Sequence, residues 1–236
     1  MGRHAVRSAT VTTISLAVLD LAGTTVRDDG AVEAAFVDAL GAVDAGPGTT
    51  GFDDRLDYLR TTMGRSKIEV FRTLLGDAAR AAHAHDAFES AYGSRVAAGS
   101  VQPIDGAPAA LAALRDGGVR VCLTTGFSSA TLGRLLDALG WREQVDLALA
   151  PGPGTRGRPN PDLVLRAVLA LEIDDVRAVA VAVAGDTAND LEAGTRAGAS
   201  VVAGVLTGAH GRARLAAAPH THLLDSVASF PALCLR

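Results

Sequence analysis

The sequence predicts an α/β protein in which a Rossmann-like parallel sheet, flanked by helices, is interrupted by a small helical cap domain. Short apolar and β-branched runs alternate with helical segments of roughly ten residues, which is typical of parallel βαβ units. By contrast, about 70 residues after the first predicted strand show only helical periodicity. We therefore expect a core of residues 14–30 and 100–236, a cap of residues 31–99 and a loose leader of residues 1–13.

The predicted strands are continuous rather than alternating apolar runs, as expected for strands covered on both faces. They cover residues 16–20, 119–124, 145–150, 178–184 and 200–206. Core helices are predicted over residues 107–115, 129–139, 162–171 and 189–197, and cap helices over residues 32–40, 52–60, 67–75 and 78–97. Loop formers near residues 27–30 and 99–103 predict the hinges, and the Gly/Pro-rich residues 151–161 predict an active-site loop.

Composition excludes several classes of function. The net charge of −4 argues against a nucleic-acid partner, because such domains are usually basic. No apolar run approaches the ~20 residues of a membrane helix, and the first residues lack a secretory signal. Two cysteines are too few for a disulfide framework. We therefore expect a cytoplasmic protein with no membrane partner.

Carboxylates stand directly after two predicted strands. Asp20 ends the strand at 16–20, while Asp186 and Asp190 follow the strand at 178–184, one helical turn apart. Ligands bind at the carboxyl ends of parallel strands, and magnesium prefers carboxylate oxygens. These three side chains are therefore candidate magnesium ligands. The alternatives are an Asx-type turn cap for Asp20 and a dipole-favoured first-turn position for Asp190.

Two further groups are suited to an anion. Thr124, Thr125 and Gly126 end the second strand, where hydroxyls and the amides of a tight turn suit phosphate oxygens. Successive strand residues point opposite ways, so one threonine should face the site, and the spacing leaves open which. Arg158 offers a permanent positive charge to a phosphoryl group. Taken alone, the threonines also fit β-propensity and the arginine also fits a surface position.

Lys67 is the only lysine among the 22 lysine and arginine residues. Arginine supplies a positive charge, but it does not form an imine with a carbonyl group. A single lysine therefore indicates a position that requires an amine nucleophile. The alternative is chance survival in an arginine-rich composition.

In this order, the motifs resemble those of the haloacid dehalogenase superfamily of aspartate-nucleophile phosphohydrolases. They are Asp20-Leu21-Ala22-Gly23-Thr24, Thr124/Thr125, Arg158-Pro159 and Gly185-Asp186 with Asp190. The resemblance implies that Asp20 attacks phosphorus to form an aspartyl phosphate while a helical cap closes over a small-molecule substrate. It also implies a Mg2+ cofactor with these ligands: Asp20, the carbonyl of Ala22, Asp186 and, directly or through water, Asp190.

Within the superfamily, the chain resembles the phosphonatases, which hydrolyse phosphonoacetaldehyde, and their close relatives. Ala22 stands where most superfamily members place a second aspartate that protonates the leaving oxygen, and Arg158 stands where most carry lysine. The cap motif Met63-Gly64-Arg65-Ser66-Lys67 is also similar. By this resemblance, Lys67 forms a Schiff base with the substrate carbonyl.

The chemistry agrees with these residues. A phosphorus–carbon bond has no leaving oxygen to protonate, but its cleavage needs an electron sink on carbon, which a protonated imine of Lys67 provides. The amine must start unprotonated, a state that desolvation or a neighbouring Arg65 favours by lowering the pKa. Met63 is expected to line the substrate cavity with Arg65; core packing is the alternative for Met63.

Phosphonatases carry a histidine at the position of Val70, and their cysteine after the nucleophile loop has no match near residues 29–31. The sequence thus predicts a phosphonatase-like hydrolase that cleaves the C–P bond of a 2-oxo-alkylphosphonate, either phosphonoacetaldehyde or an analogue. The alternative is a phosphatase or phosphomutase for a small phosphate ester, with Lys67 only binding substrate. A non-catalytic module is disfavoured by the complete carboxylate set. The apolar cap helices are a candidate homodimer surface by the same resemblance.

Overall fold

The computed structural model describes residues 14–27, 29–173 and 180–235 of the chain. Numbered along the chain, the strands are β1 (Leu16–Asp20), β2 (Val26–Arg27), β3 (Gln102–Pro103), β4 (Arg120–Thr124), β5 (Leu147–Leu149), β6 (Val181–Gly185), β7 (Val201–Val205) and β8 (His222–Leu224). Six of them form one sheet in the order β5-β4-β1-β6-β7-β8, and every pairing is parallel. The predicted α/β class is confirmed.

Ten α-helices accompany these strands in the described part of the chain. They are α1 (Ala31–Gly41), α2 (Phe52–Thr61), α3 (Lys67–Leu75), α4 (Ala78–Ala97), α5 (Ala107–Asp116), α6 (Ser129–Leu139), α7 (Asp162–Ala170), α8 (Ala188–Ala197), α9 (Arg212–Ala217) and α10 (Pro231–Cys234). The first four follow one another without a strand between them, as the helical periodicity predicts. We refer to α1–α4 and their connections as the insert.

The strand β1 is apolar throughout because both of its faces are covered. Leu16 and Val18 pack on one face with Val164 of α7, whereas Ala17 and Leu19 belong to the larger core on the other face. This division follows from the alternation of side chains along a strand. Each residue of β1 is buried, and the strand ends at Asp20 in the middle of the sheet.

The predicted hinges contain structure that periodicity did not indicate. Val26–Arg27 and Gln102–Pro103 pair as a two-stranded antiparallel ladder, which joins the chain where it enters the insert to the chain where it leaves. The N–H of Ile104 extends this contact by donating to the Thr25 carbonyl at 2.9 Å. Strands of two residues have no detectable hydrophobic period, so loop formers dominated the prediction. The edge strand β8 was missed for the same reason of length.

A row of aromatic rings joins the insert to the turn after β4. Phe36 stacks on Phe71 with ring centroids 4.8 Å apart, and Phe71 meets Phe88 edge-on at 6.2 Å. Phe127, which follows β4, lies 6.1 Å from Phe88 and 4.6 Å from Tyr92. Burial of large apolar surface, with favourable ring geometry, therefore fixes the insert against this end of the sheet.

The proposed leader of residues 1–13 lies outside the described residues. The first two residues of the predicted strand at 178–184 lie outside them as well. Within the described ranges, no helix has both the length and the apolar composition needed to pass through a bilayer.

Candidate active site

Three carboxylates meet at the carboxyl end of the sheet. Asp20 ends β1 opposite Thr124 of the neighbouring β4, and Asp186 follows β6 on the other side of β1. Asp190 lies in the first turn of α8. All three are buried, and each offers an oxygen within 4.8 Å of the others. We call Asp20, Asp186 and Asp190 the carboxylate cluster.

A tight turn after β1 brings the backbone close to Asp186. The hydroxyl of Thr25 donates to the Asp20 carbonyl at 2.9 Å, and Gly23 has a left-handed φ of 90°. A Cβ on Gly23 would overlap the Asp186 carboxylate, so this position requires glycine for space as well as conformation. Thr24 Oγ1 donates to Asp186 Oδ1 at 3.2 Å. The turn thus places Asp20 and Asp186 side by side.

Asp186 has an unusual protonation equilibrium. Burial, and secondly the negative charge of Asp20, raise the pKa of Asp186 to about 7. The Ala209 N–H opposes this shift by donating to Asp186 Oδ2 at 2.7 Å. The carboxylate cluster therefore holds more negative charge than its surroundings stabilise.

Arg158 reaches the carboxylate cluster from the Gly/Pro-rich stretch. Its Nη1 lies 2.5 Å from Asp20 Oδ1 and also contacts Asp190 Oδ1. The side chain is buried, and its Nε makes no hydrogen bond within the described residues. The guanidinium thus pairs with two of the three buried carboxylates, and its single charge does not balance the cluster.

The carboxylate cluster fits a magnesium ion. Mg2+ takes oxygen ligands, usually one or two carboxylates together with water and phosphate. Asp190 is oriented by Thr187, whose N–H and hydroxyl donate to its Oδ2 at 3.0 and 2.5 Å. Ala22 lines the same cavity as Asp20 and Asp186. The donor atoms and the excess negative charge both suit a divalent cation.

Replacing Asp186 with asparagine should abolish the stabilisation of the protein by magnesium. An asparagine can still accept from Ala209 and donate to the Thr24 hydroxyl, so the fold should persist while a charged ligand is lost. For the wild type, Mg2+ at about 100 times its Kd should add about 2.7 kcal/mol to the free energy of unfolding. Calorimetric melting with and without Mg2+ measures this response. The exposed control Asp137→Asn should retain it, and a full response in Asp186→Asn would contradict the metal site.

A cavity of about 520 Å³ lies over Asp20 and Asp186 of the carboxylate cluster and includes Lys67 in its wall. Lys67 begins α3 and is buried. Its backbone N–H donates to the Gly126 carbonyl at 3.1 Å, and its Nζ lies 5.5 Å from the centroid of the Phe127 ring. The structure therefore brings an amine of the insert and Asp20 of the sheet into one cavity, at a separation of 47 positions in the sequence.

Of the two threonines after β4, Thr125 lines the cavity and Thr124 does not. Thr125 Oγ1 accepts a hydrogen bond from the Phe127 N–H at 3.2 Å. Gly126 lines the cavity too, and a Cβ at this position would overlap the backbone carbonyl of Arg65. Thr125 and Gly126 are therefore the residues of this motif that face the carboxylate cluster.

The loop before α3 is attached to the first turn of α8. Asn189 Nδ2 donates to the Met63 carbonyl at 2.7 Å, and Arg65 Nε lies 3.5 Å from Asn189 Oδ1. Met63 lines the cavity over the carboxylate cluster. Arg65 instead lines the neighbouring cavity beside the Gly/Pro-rich stretch, so its position differs from the predicted one. The contact of its side chain with Asn189 accounts for this difference.

Other residues line the cavity without having been predicted as site residues. They are Arg27, Asp29, Gly30, Val32, Glu33, Arg60, Gly64, Phe127, Thr187, Thr207, Gly208, Ala209 and Arg214. Arg60 and Glu33 form a bidentate ion pair at 2.8 and 3.0 Å. Two of these residues could have been found from the sequence, because Thr207-Gly208 follows a predicted strand as Thr125-Gly126 does. The charged residues Arg27 and Asp29 precede α1, and Glu33, Arg60 and Arg214 lie on three different helices, so no local pattern joins them.

Comparisons with known proteins agree with this geometry. A family described as haloacid dehalogenase-like hydrolase matches residues 14–198. The phosphonoacetaldehyde hydrolase of Bordetella pertussis is 33% identical, with 91% of this chain and 88% of the relative covered. A phosphonoacetaldehyde hydrolase like protein from Oleispira antarctica has a TM-score of 0.78 at 23% identity, with 99% and 95% covered. A hydrolase from Pseudomonas syringae has a TM-score of 0.79 at 20% identity, with 93% and 97% covered.

Proposed function

Because this chain belongs to the haloacid dehalogenase-like hydrolase family, we propose that it is a phosphonatase-like enzyme, which cleaves the C–P bond of a 2-oxo-alkylphosphonate such as phosphonoacetaldehyde. The observation that carries the proposal is the shared cavity of Asp20 and Lys67. A carboxylate is suited to attack phosphorus, and an amine is suited to condense with the carbonyl carbon of the same small molecule. The relative from Bordetella pertussis, named for phosphonoacetaldehyde, supports this substrate class.

Lys67 makes the substrate reactive. Its neutral amine adds to the carbonyl carbon, and loss of water yields an imine whose protonated form withdraws electrons from the adjacent carbon. The placement of Lys67 supports this role, because its buried side chain lines the same cavity as Asp20. The lysine is therefore an electron sink rather than only a binding charge.

Asp20 then attacks phosphorus. A bond forms between its carboxylate oxygen and phosphorus while the P–C bond breaks, and the P–C electron pair moves through carbon to the iminium nitrogen as an enamine. Water hydrolyses the aspartyl phosphate to inorganic phosphate. Protonation of the enamine and hydrolysis of the resulting imine release the aldehyde or ketone and regenerate Lys67.

The remaining cavity residues bind the phosphonyl group. The guanidinium of Arg158, already at Asp20, and the Thr125-Gly126 turn offer positive charge and donors to its oxygens. Magnesium held by Asp20, Asp186, Asp190 and the Ala22 carbonyl would neutralise the negative charge that otherwise repels the attacking carboxylate from the phosphonate. Ala22 cannot protonate a leaving group, which agrees with a reaction whose leaving atom is carbon.

A matched set of substrates tests the proposal. Phosphonoacetaldehyde has a C–P bond where glycolaldehyde phosphate has a C–O–P link, and ethylphosphonate lacks the carbonyl group. With Mg2+ present, we expect phosphate release from phosphonoacetaldehyde or 2-oxopropylphosphonate at a kcat/KM on the order of 100-fold above that for the ester. Ethylphosphonate should not react, because no imine forms. A preference for the ester would instead support the phosphatase alternative.

A further inference from the structure

His210 is a buried side chain beside the carboxylate cluster that the sequence did not indicate. It follows β7 in the loop of residues 206–211, and only 3% of it is exposed. Its Nδ1 accepts a hydrogen bond from the Ala188 N–H at 3.0 Å. A buried imidazole with one committed nitrogen needs an explanation in a site of this kind.

The hydrogen bond to Ala188 fixes the form of the imidazole. An Nδ1 that accepts carries no proton, so the proton of the neutral ring sits on Nε2. The ring therefore acts as a hydrogen-bond acceptor at Nδ1.

The loop of residues 206–211, which contains His210, contacts Asp186 in several places. The N–H of His210 donates to the Asp186 carbonyl at 3.3 Å, next to the bond from Ala209 to the Asp186 carboxylate. Gly208 lies so close that a Cβ there would overlap the Asp186 side chain. The loop thus donates one backbone hydrogen bond to the Asp186 carboxylate and one to its carbonyl.

The imidazole contacts the helix that carries Asp190. Ala188 is the first residue of α8, whose initial N–H groups lack intrahelical partners, and His210 satisfies one of them. Two residues later, Asp190 is held by the N-cap Thr187 in the same turn. The position of Asp190 therefore depends on where α8 begins. The hydrogen bond to His210 Nδ1 joins the first residue of α8 to the loop of residues 206–211, which also contacts Asp186.

We propose that His210 is a positioning residue for the magnesium ligands, which sets the distance between Asp186 and Asp190 by joining the loop after β7 to the start of α8. This inference rests on the magnesium site of the proposed function. The relevant atom is Nδ1, and this predicts which substitutions preserve the site.

Three variants of the full chain separate the roles of the two ring nitrogens. In His210→Asn, the amide oxygen takes the place of Nδ1 and can accept from Ala188. In His210→Gln, the longer side chain places its amide nearer the position of Nε2. In His210→Leu, the volume is largely kept and no acceptor remains.

Isothermal titration with Mg2+, in the absence of substrate, measures the effect on metal binding. We expect His210→Leu and His210→Gln to weaken binding by about 10- to 100-fold, and His210→Asn to stay close to the wild type. A purely structural histidine would instead lower the melting temperature without this acceptor-dependent pattern in Mg2+ affinity. If His210→Leu does not fold, the comparison of His210→Asn with His210→Gln decides the question.

Two results would overturn the inference, and they differ in meaning. Wild-type affinity in all three variants, or equal weakening in His210→Asn and His210→Gln, refutes the positioning role alone. No Mg2+ binding by the wild type refutes the metal site of the proposed function and the inference with it. Because no substrate is used, neither result depends on the identity of the cleaved bond.

Discussion

The Lys67→Arg enzyme should lose cleavage of 2-oxo-alkylphosphonates while its fold and Mg2+ binding persist. Arginine keeps the positive charge in the cavity wall, but its guanidinium does not form the imine that withdraws electrons from carbon. We expect kcat/KM to fall by at least about 10⁴-fold, comparable to other losses of covalent catalysis. Release of inorganic phosphate from phosphonoacetaldehyde provides the measurement. Rates near those of the wild type would refute the imine role.

Borohydride trapping gives a direct test of the same step. Sodium borohydride reduces an imine to a stable secondary amine, so incubation with the substrate should leave a mass increment on the peptide that contains Lys67. The chain has no other lysine, which leaves the amino terminus as the only competing primary amine. An unmodified Lys67 peptide after turnover conditions would count against the proposed chemistry.

A relocated lysine serves as the matched control. Arg72 is on the same helix as Lys67, but its side chain is 57% exposed. The double variant Lys67→Arg/Arg72→Lys keeps one lysine on α3 and moves it out of the cavity. This variant should form no adduct at position 72 and show no C–P cleavage. An adduct there would mean that trapping reports reactive lysines in general.

Most strands and helices could be predicted because they are long enough to show their hydrophobic pattern, whereas the three-residue edge strand β8 is not. The continuous apolar run of β1 and the helical periods of α3, α4 and α6 agree with the predicted ranges to the residue. Residues 26–27 and 102–103 could not be recognised, because two-residue strands depend on a partner that is distant in sequence. The sheet pairing, rather than any local propensity, makes them strands.

The residues of the candidate site were likewise predictable only where a local sequence pattern marks them. Strand ends identified Asp20 and Asp186, because a carboxylate that terminates an apolar run is conspicuous. The sequence does not show which threonine side chain points into the cavity, so Thr125 could be chosen over Thr124 only from the structure. The position of Arg65 likewise depends on its contact with Asn189, which is distant in sequence. His210 escaped notice because its importance comes from a hydrogen bond across 22 positions to Ala188.

The Asp20→Asn enzyme should show no turnover of any substrate. The amide cannot attack phosphorus as a carboxylate does, and we expect a loss of kcat on the order of 10⁴- to 10⁶-fold. Phosphate release measures this loss, and melting temperatures show whether the variant is folded. Because the charge of Asp20 contributes to the raised pKa of Asp186, the substitution should also bring that pKa closer to its ordinary value. Appreciable turnover would refute the nucleophile.

The Asp20→Asn variant also tests the order of the two covalent steps. Imine formation at Lys67 precedes attack on phosphorus, so the variant should stop after the first step and accumulate the imine. Borohydride should therefore trap as much adduct at Lys67 in Asp20→Asn as in the wild type, or more, although no phosphate is released. Lys67→Arg should show neither adduct nor phosphate. A folded Asp20→Asn enzyme that binds substrate but gives no adduct would mean that imine formation itself requires Asp20. The assignment of separate roles to Asp20 and Lys67 would then be wrong.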